Sequence, residues 1–131
     1  MSGGRVPRSP ADEPGPDHVA LVHALRPPYR CSVLSNADVS LRARLEGELA
    51  LHHLFDDIVV SAEVGMAKPT PAIFQLAADR LGLPPAACVF VDYWDKNVEA
   101  ARALGMTAVL HRADKGDDLR AQLAAVGVSA A

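Results

Sequence analysis

Aromatic side chains make up only 5% of the 131 residues, too few for a core built on large rings. With alanine abundant instead, helices are expected to pack closely through small side chains. There are only two cysteines, Cys31 and Cys88, each inside an apolar run and without a C-x-x-C partner. That excludes a disulfide framework and the usual zinc or dithiol spacing; it predicts buried free thiols and a reducing, cytoplasmic compartment. Basic clusters are missing as well, and the formal net charge is -3, which speaks against nucleic acid or an anionic membrane surface as a partner. No apolar run approaches membrane-spanning length, and the opening MSGGRVPRSPADEPGP lacks the apolar centre of a signal peptide. Internal repeats are absent too.

What is present is an ordinary domain's worth of apolar residues, 50% of the chain, which excludes a disordered polymer and allows one core. Residues 1–16, rich in Gly, Pro and Ser, read as a flexible tail, and residues 17–131 as the domain. Helices and short apolar runs then alternate. A helix is expected over about Asp17 to Arg26, then the run YRCSVLS ending at Ser35, then a helix carrying Leu41, Leu45 and Leu49. The strand DDIVV (Asp56 to Val60) leads through a loop containing Gly65 to the helix TPAIFQLAADRLG, with Thr70 suited to the N-cap, Pro71 to the first turn and Gly82 to the C′ position. ACVFV is the next strand, followed by a helix presenting Val98, Ala101 and Leu104 and ended by Gly105. MTAVL is the last strand, and a helix from Asp117 to about Val126 turns Leu119, Leu123 and Val126 inward. Unbroken apolar strands alternating with helices predict an α/β fold with a mostly parallel sheet covered on both faces.

In such a sheet ligands collect at the carboxyl ends of the strands. Those ends carry Ser35 and Asn36, then Glu63, Lys68 and Thr70, then Asp92, Tyr93 and Asp95. Taken singly, each has a structural reading: a strand-to-helix turn, a solvated loop lysine, helix-capping carboxylates. Taken together, a hydroxyl, an ammonium and carboxylates suit a phosphate beside a divalent cation. The hydroxyl and backbone N–H groups hydrogen-bond phosphoryl oxygens, lysine neutralises charge, and carboxylates hold Mg²⁺. His52 and His53 lie near a helix end with no suitably spaced Cys or acid, so zinc is not expected.

Three stretches in this order resemble the haloacid dehalogenase-like (HAD) hydrolase superfamily, in particular its phosphatases of small metabolites. VLSNAD resembles the second motif of that family, with Ser35 in the position that binds the transferring group. SAEVGMAKPTPAIFQLAADRLGLPP resembles the third, with Lys68 as the lysine that steadies nucleophile and phosphoryl charge. VFVDYWDKNVEAARALGM resembles the fourth, the acidic turn. The resemblance implies a three-layer Rossmann-like fold, phosphatase-type hydrolysis of a small phosphorylated molecule, catalytic roles for Lys68 and Ser35, phosphate binding by Ser35, Asn36 and Lys68, and Mg²⁺ as cofactor. Asp92 and Asp95 are the candidate metal ligands.

Two departures qualify that expectation. The family's nucleophile, an aspartate in an Asp-x-Asp motif after an apolar strand, has no counterpart: Asp12 and Asp17 sit in a proline-rich segment with no strand before them. At the family's direct metal-ligand position stands Tyr93, a poor ligand for a hard cation. The resemblance also places the first motif's strand at the centre of the sheet, between the strands ending at Ser35 and Asp92. Residues 17–131 therefore read as a partial core, missing its central first strand and its cap. The chain is expected to be nearly inactive alone, a phosphate-binding remnant, or half of a split enzyme, either self-associating or completed by a strand from another chain. A receiver domain would need its acid pair at the first strand end, where this sequence has only the tail.

Overall fold

The structure, a computed structural model, describes residues 16–26, 28–47 and 52–129. The expected tail over residues 1–15 and the expected inward position of Leu49 lie outside them. Among the described residues six α-helices and four strands follow in the order α1 (Pro16–Leu25), β1 (Ser32–Ser35), α2 (Ser40–Glu46), β2 (Asp57–Val60), α3 (Ser61–Val64), α4 (Pro71–Leu81), β3 (Val89–Asp92), α5 (Asp95–Leu104), β4 (Thr107–Leu110) and α6 (Leu119–Ala125). All strand pairing is parallel, as continuous apolar strands between helices require.

The sheet comes in two halves. β1 pairs with β2, Ser32 opposite Asp57 through Ser35 opposite Val60, and β3 pairs with β4, Val89 opposite Thr107 through Asp92 opposite Leu110. Among the described residues no strand joins β1 to β3. The helical layers run across both halves. On one face α4 and α5 pack Ile73, Phe74, Val98 and Ala101 against Leu34, Val59, Phe90 and Ala108. On the other, α1 and α2 cover Val33, Ile58 and Val60, and α1 meets α6 through Leu21, Leu25 and Leu123. This is the three-layer Rossmann-like arrangement, with its middle layer divided.

The helix boundaries follow local chemistry. Pro71 occupies the first turn of α4, where its missing N–H costs nothing, and Gly82 ends it at φ 74°, with its N–H on the carbonyls of Ala78 and Asp79. A side chain at Gly82 would be strained and would meet the Arg30 guanidinium at 3.2 Å. The buried set Ile73, Phe74, Ala77 and Ala78 forms one stripe. Phe74 meets Phe90 edge to face, centroids 5.0 Å apart, so α4 grips both half-sheets.

Three expectations change. The loop through Gly65 contains one turn of helix, α3, which Gly65 closes in the left-handed conformation. Val126 is exposed rather than inward, because α6 ends at Ala125. The thiols are free but only half-buried. No helix among the described residues is long and apolar enough to cross a membrane.

Candidate active site

The parallel strands all end on the same side, and their polar successors converge there. Lys68, delivered by the loop between α3 and α4, is the hub. Its ammonium meets Asp92 Oδ2 at 2.8 Å, and both side chains are 0% exposed. Its backbone is clamped by the Asn36 side chain, whose Nδ2 donates to the Lys68 carbonyl at 2.9 Å while the Lys68 N–H donates to Asn36 Oδ1 at 2.8 Å. The Lys68–Pro69 peptide bond is cis. The ammonium also lies 5.6 Å from the centroid of the Phe90 ring, which attracts a cation through its face.

Asp92 serves several partners. Oδ2 accepts from Asn97 Nδ2 at 3.0 Å as well as from Lys68, and Oδ1 accepts from the Trp94 N–H at 3.0 Å. A buried carboxylate with this many donors is fixed in orientation. Asn97, fully buried on α5, has its amide nitrogen used here, while its Oδ1 has no hydrogen-bond partner. Ser35 Oγ, also fully buried, has none either. Native proteins rarely leave such atoms unpaired, so each marks a place prepared for something polar. His111, which follows β4, is buried with Nδ1 2.7 Å from Gln122 Oε1, and its backbone N–H donates to the Asp92 carbonyl at 2.8 Å.

Of the residues anticipated from sequence, Asn36, Lys68 and Asp92 come together by direct contact, and Ser35 ends the strand that Asn36 directly follows. Asn36, anticipated as a phosphate ligand, spends its amide on the Lys68 backbone and acts on the site through that residue. Asp95 does not join the cluster's hydrogen bonds; it is exposed in the first turn of α5. Tyr93 is half-buried, and its carbonyl accepts from Arg112 Nε at 3.4 Å. Trp94 is 42% exposed. Glu63 is drawn away to Arg42, with Nε on its two oxygens at 3.0 and 2.9 Å, which pushes the guanidinium pKa further up. Thr70 sits at the N-cap of α4 without a capping side-chain bond.

Asn97 and His111 were given no role by the sequence. The spacing of Asn97 from Asp92 puts it in the first turn of α5, within hydrogen-bond reach of the strand end. His111 obeys the rule that picked out the other candidates, a polar residue directly after a strand.

Among the described residues no three His, Cys, Asp or Glu side chains gather as a cation site. The buried carboxylate of Asp92 is already paired with Lys68, and Tyr93 adds no anionic oxygen, so these residues alone do not fit Mg²⁺.

Comparison with known proteins agrees with this geometry. The family described as "haloacid dehalogenase-like hydrolase" matches residues 7–105. A glyceraldehyde 3-phosphate phosphatase of Methanopyrus kandleri is 43% identical over 72 residues, 54% of this chain and 31% of that protein. A fructose-1-phosphate phosphatase of Escherichia coli is 37% identical over 93 residues, 71% of this chain and 48% of that protein. The chain thus spans less than half the length of either relative. A solved HAD family enzyme of Bacteroides thetaiotaomicron, in complex with magnesium and inorganic phosphate, superposes with a TM-score of 0.64 at 27% identity, over 76% of this chain and 52% of that one.

Proposed function

The chain belongs to the haloacid dehalogenase-like hydrolase family, and from that premise we propose that its strand-end cluster takes the phosphoryl group of a small phosphorylated metabolite, as part of a phosphatase-type hydrolase. The observation that carries the reading is the buried Lys68 ammonium, fixed by Asn36 and Asp92, in a cluster of strand ends that also holds the unpartnered Ser35 hydroxyl. In this reading the hydroxyl donates to a phosphoryl oxygen, Lys68 offsets the developing negative charge, and Asn97 together with Asp92 holds the ammonium in place.

Among the described residues no free carboxylate stands in the strand-end cluster, since Asp92 is committed to Lys68, Asn97 and the Trp94 N–H. We therefore expect phosphate holding without turnover from this chain alone, and hydrolysis only when an aspartate is supplied by another segment. Magnesium accompanies phosphate in the Bacteroides thetaiotaomicron relative. Here the ligand set is too poor for any step to depend on it, and Tyr93→Asp tests whether a second carboxylate restores cation binding. The two free thiols are in keeping with a cytoplasmic setting.

The test is titration with inorganic phosphate, followed by Trp94 fluorescence and by calorimetry. Wild type is expected to bind, and Lys68→Ala and Ser35→Ala each to weaken binding by about tenfold or more, the worth of one charge-assisted hydrogen bond. Binding untouched by both substitutions would remove the phosphate site. Turnover of an aryl phosphate by the wild type, lost in Lys68→Ala, would show that the chain is catalytically sufficient.

A further inference from the structure

We infer that Ser61, the residue directly after β2, is a positioning residue: it sets the place of the Lys68 loop relative to the turn after Ser35, and so the spacing of the two groups offered to phosphate.

The β1–β2 ladder runs from Ser32 opposite Asp57 to Ser35 opposite Val60. One residue further the backbones part, because β2 passes straight into α3 at Ser61 while the chain after β1 enters the turn that carries Asn36. The Ser61 hydroxyl takes over at this point. Its Oγ accepts from the Ala37 N–H at 2.9 Å and donates to the Ala37 carbonyl at 3.0 Å. The Ala62 N–H donates to the same carbonyl at 3.2 Å. A hydroxyl both donates and accepts, so one serine serves both backbone groups of a buried residue that the ladder no longer reaches.

Helix capping does not account for this serine. A capping hydroxyl accepts from N–H groups of its own helix, whereas the described bonds of Ser61 Oγ go to Ala37, 24 residues away. Ser61 is also the first residue of α3 rather than its N-cap, which is Val60.

The link to the site lies in the neighbour of Ala37. Asn36 holds both backbone groups of Lys68, at 2.9 and 2.8 Å. Two adjacent residues of the β1 turn thus hold residues 61–68 at both ends, Ala37 at the first and Asn36 at the last. The segment is an arch with both feet on that turn. In its middle Glu63 is tied to Arg42 of α2, but that pair is partly open to solvent and screened. Ser35 stands immediately before the turn, and Lys68 is the far foot. With the near foot loosened, the arch can tilt about Asn36, and the Lys68 ammonium shifts against the Ser35 hydroxyl and against Asp92. The use of these groups for phosphate rests on the reading given under Proposed function; the two-ended hold does not.

The experiment compares the full-length wild type with Ser61→Ala and Ser61→Thr by residue-resolved amide hydrogen exchange and by calorimetric titration with inorganic phosphate, with a denaturation curve for each. In Ser61→Ala the Ala37 and Lys68 N–H groups are expected to exchange about tenfold faster while amides of α6 keep their rates, and phosphate affinity is expected to fall about tenfold. Ser61→Thr keeps the hydroxyl and should return both readouts to wild type. Lys68 exchange unchanged in Ser61→Ala would overturn the inference, because the far foot then does not feel the near one. Faster exchange at every amide, in step with a lower denaturation midpoint, would make Ser61 a stabilising residue only and overturn it too. So would phosphate affinity that stays at the wild-type value while Lys68 exchanges faster. A wild type that binds no phosphate would remove the phosphate reading, and Lys68 exchange would still decide whether Ser61 places the lysine.

Discussion

The strand-end cluster and the cleft between the two half-sheets are built from the same strands and differ in how far they are finished. At the cluster, Lys68, Asp92, Asn36 and Asn97 meet one another through bonds of 2.8–3.0 Å and are almost wholly buried. In the cleft, the banks are well-packed β-pairs, but nothing described joins them. Local geometry explains the difference. A polar residue after each parallel strand must arrive at the same rim, so the cluster assembles wherever the halves are held in register by α4. Filling the cleft needs a strand, and no suitable one is among the described residues.

The largest effect expected from breaking the finished region follows removal of the carboxylate. Asp92→Ala leaves the Lys68 ammonium buried without its partner, and the denaturation midpoint should fall by the equivalent of about 3–5 kcal/mol. Replacing both partners, Lys68→Met with Asp92→Leu, should recover most of that loss while phosphate binding stays absent. A double variant no more stable than Asp92→Ala would mean that the pair stabilises the fold rather than the site.

Asn36→Ala comes next. It strips a buried N–H and a buried C=O of Lys68 of their partners, at about 1–3 kcal/mol for each unsatisfied group. Because Asn36 acts through Lys68, phosphate binding should weaken along with stability. Stability lost with phosphate affinity unchanged would reduce Asn36 to a structural clamp.

The half-buried thiols report on the unfinished region, since Cys31 and Cys88 both line the cavity between the halves. Burial pushes both thiols above their ordinary pKa, with Asp56 adding to the effect at Cys31. The thiolate is therefore scarcer than usual at neutral pH, and alkylation should be slower than for an exposed cysteine and should rise only at more alkaline pH. Rapid labelling at neutral pH would show the cleft open to water.

The smallest effect is expected at the surface. Arg80→Ala removes an ion pair to Asp57 of 2.8 Å with the arginine 40% exposed, and should cost less than about 1 kcal/mol. A larger loss would show that the α4 end, not the cluster, anchors the first half-sheet.

Much of the fold was legible because its signals are local. Pro71 and Gly82 bracket α4 and Gly105 closes α5 through backbone preferences that depend on no distant residue. The first strand ends at Ser35 as the apolar run does, and the last runs from Thr107 to Leu110 within MTAVL. The one-turn helix α3 was missed because four residues carry no period to read, and Val126 was misplaced because the helix stops one residue earlier. At the site, the types Ser35, Asn36, Lys68 and Asp92 followed from their places after strands, but their division of labour did not. Asp95 looked as available as Asp92, and only the direction of the first turn of α5 turns it out to solvent.

By itself, then, the sequence determined the order and kind of the elements, their parallel arrangement and the residues at the strand ends, since caps, periodicity and strand termini are written within a few residues of one another. Tertiary structure alone decided that Asn36 holds the backbone of Lys68, that Asp92 is shared between Lys68 and Asn97, and that the halves stand apart around a cavity. Each of these depends on groups distant in the chain being brought within hydrogen-bond reach, or kept from it, by the helices packed across both halves.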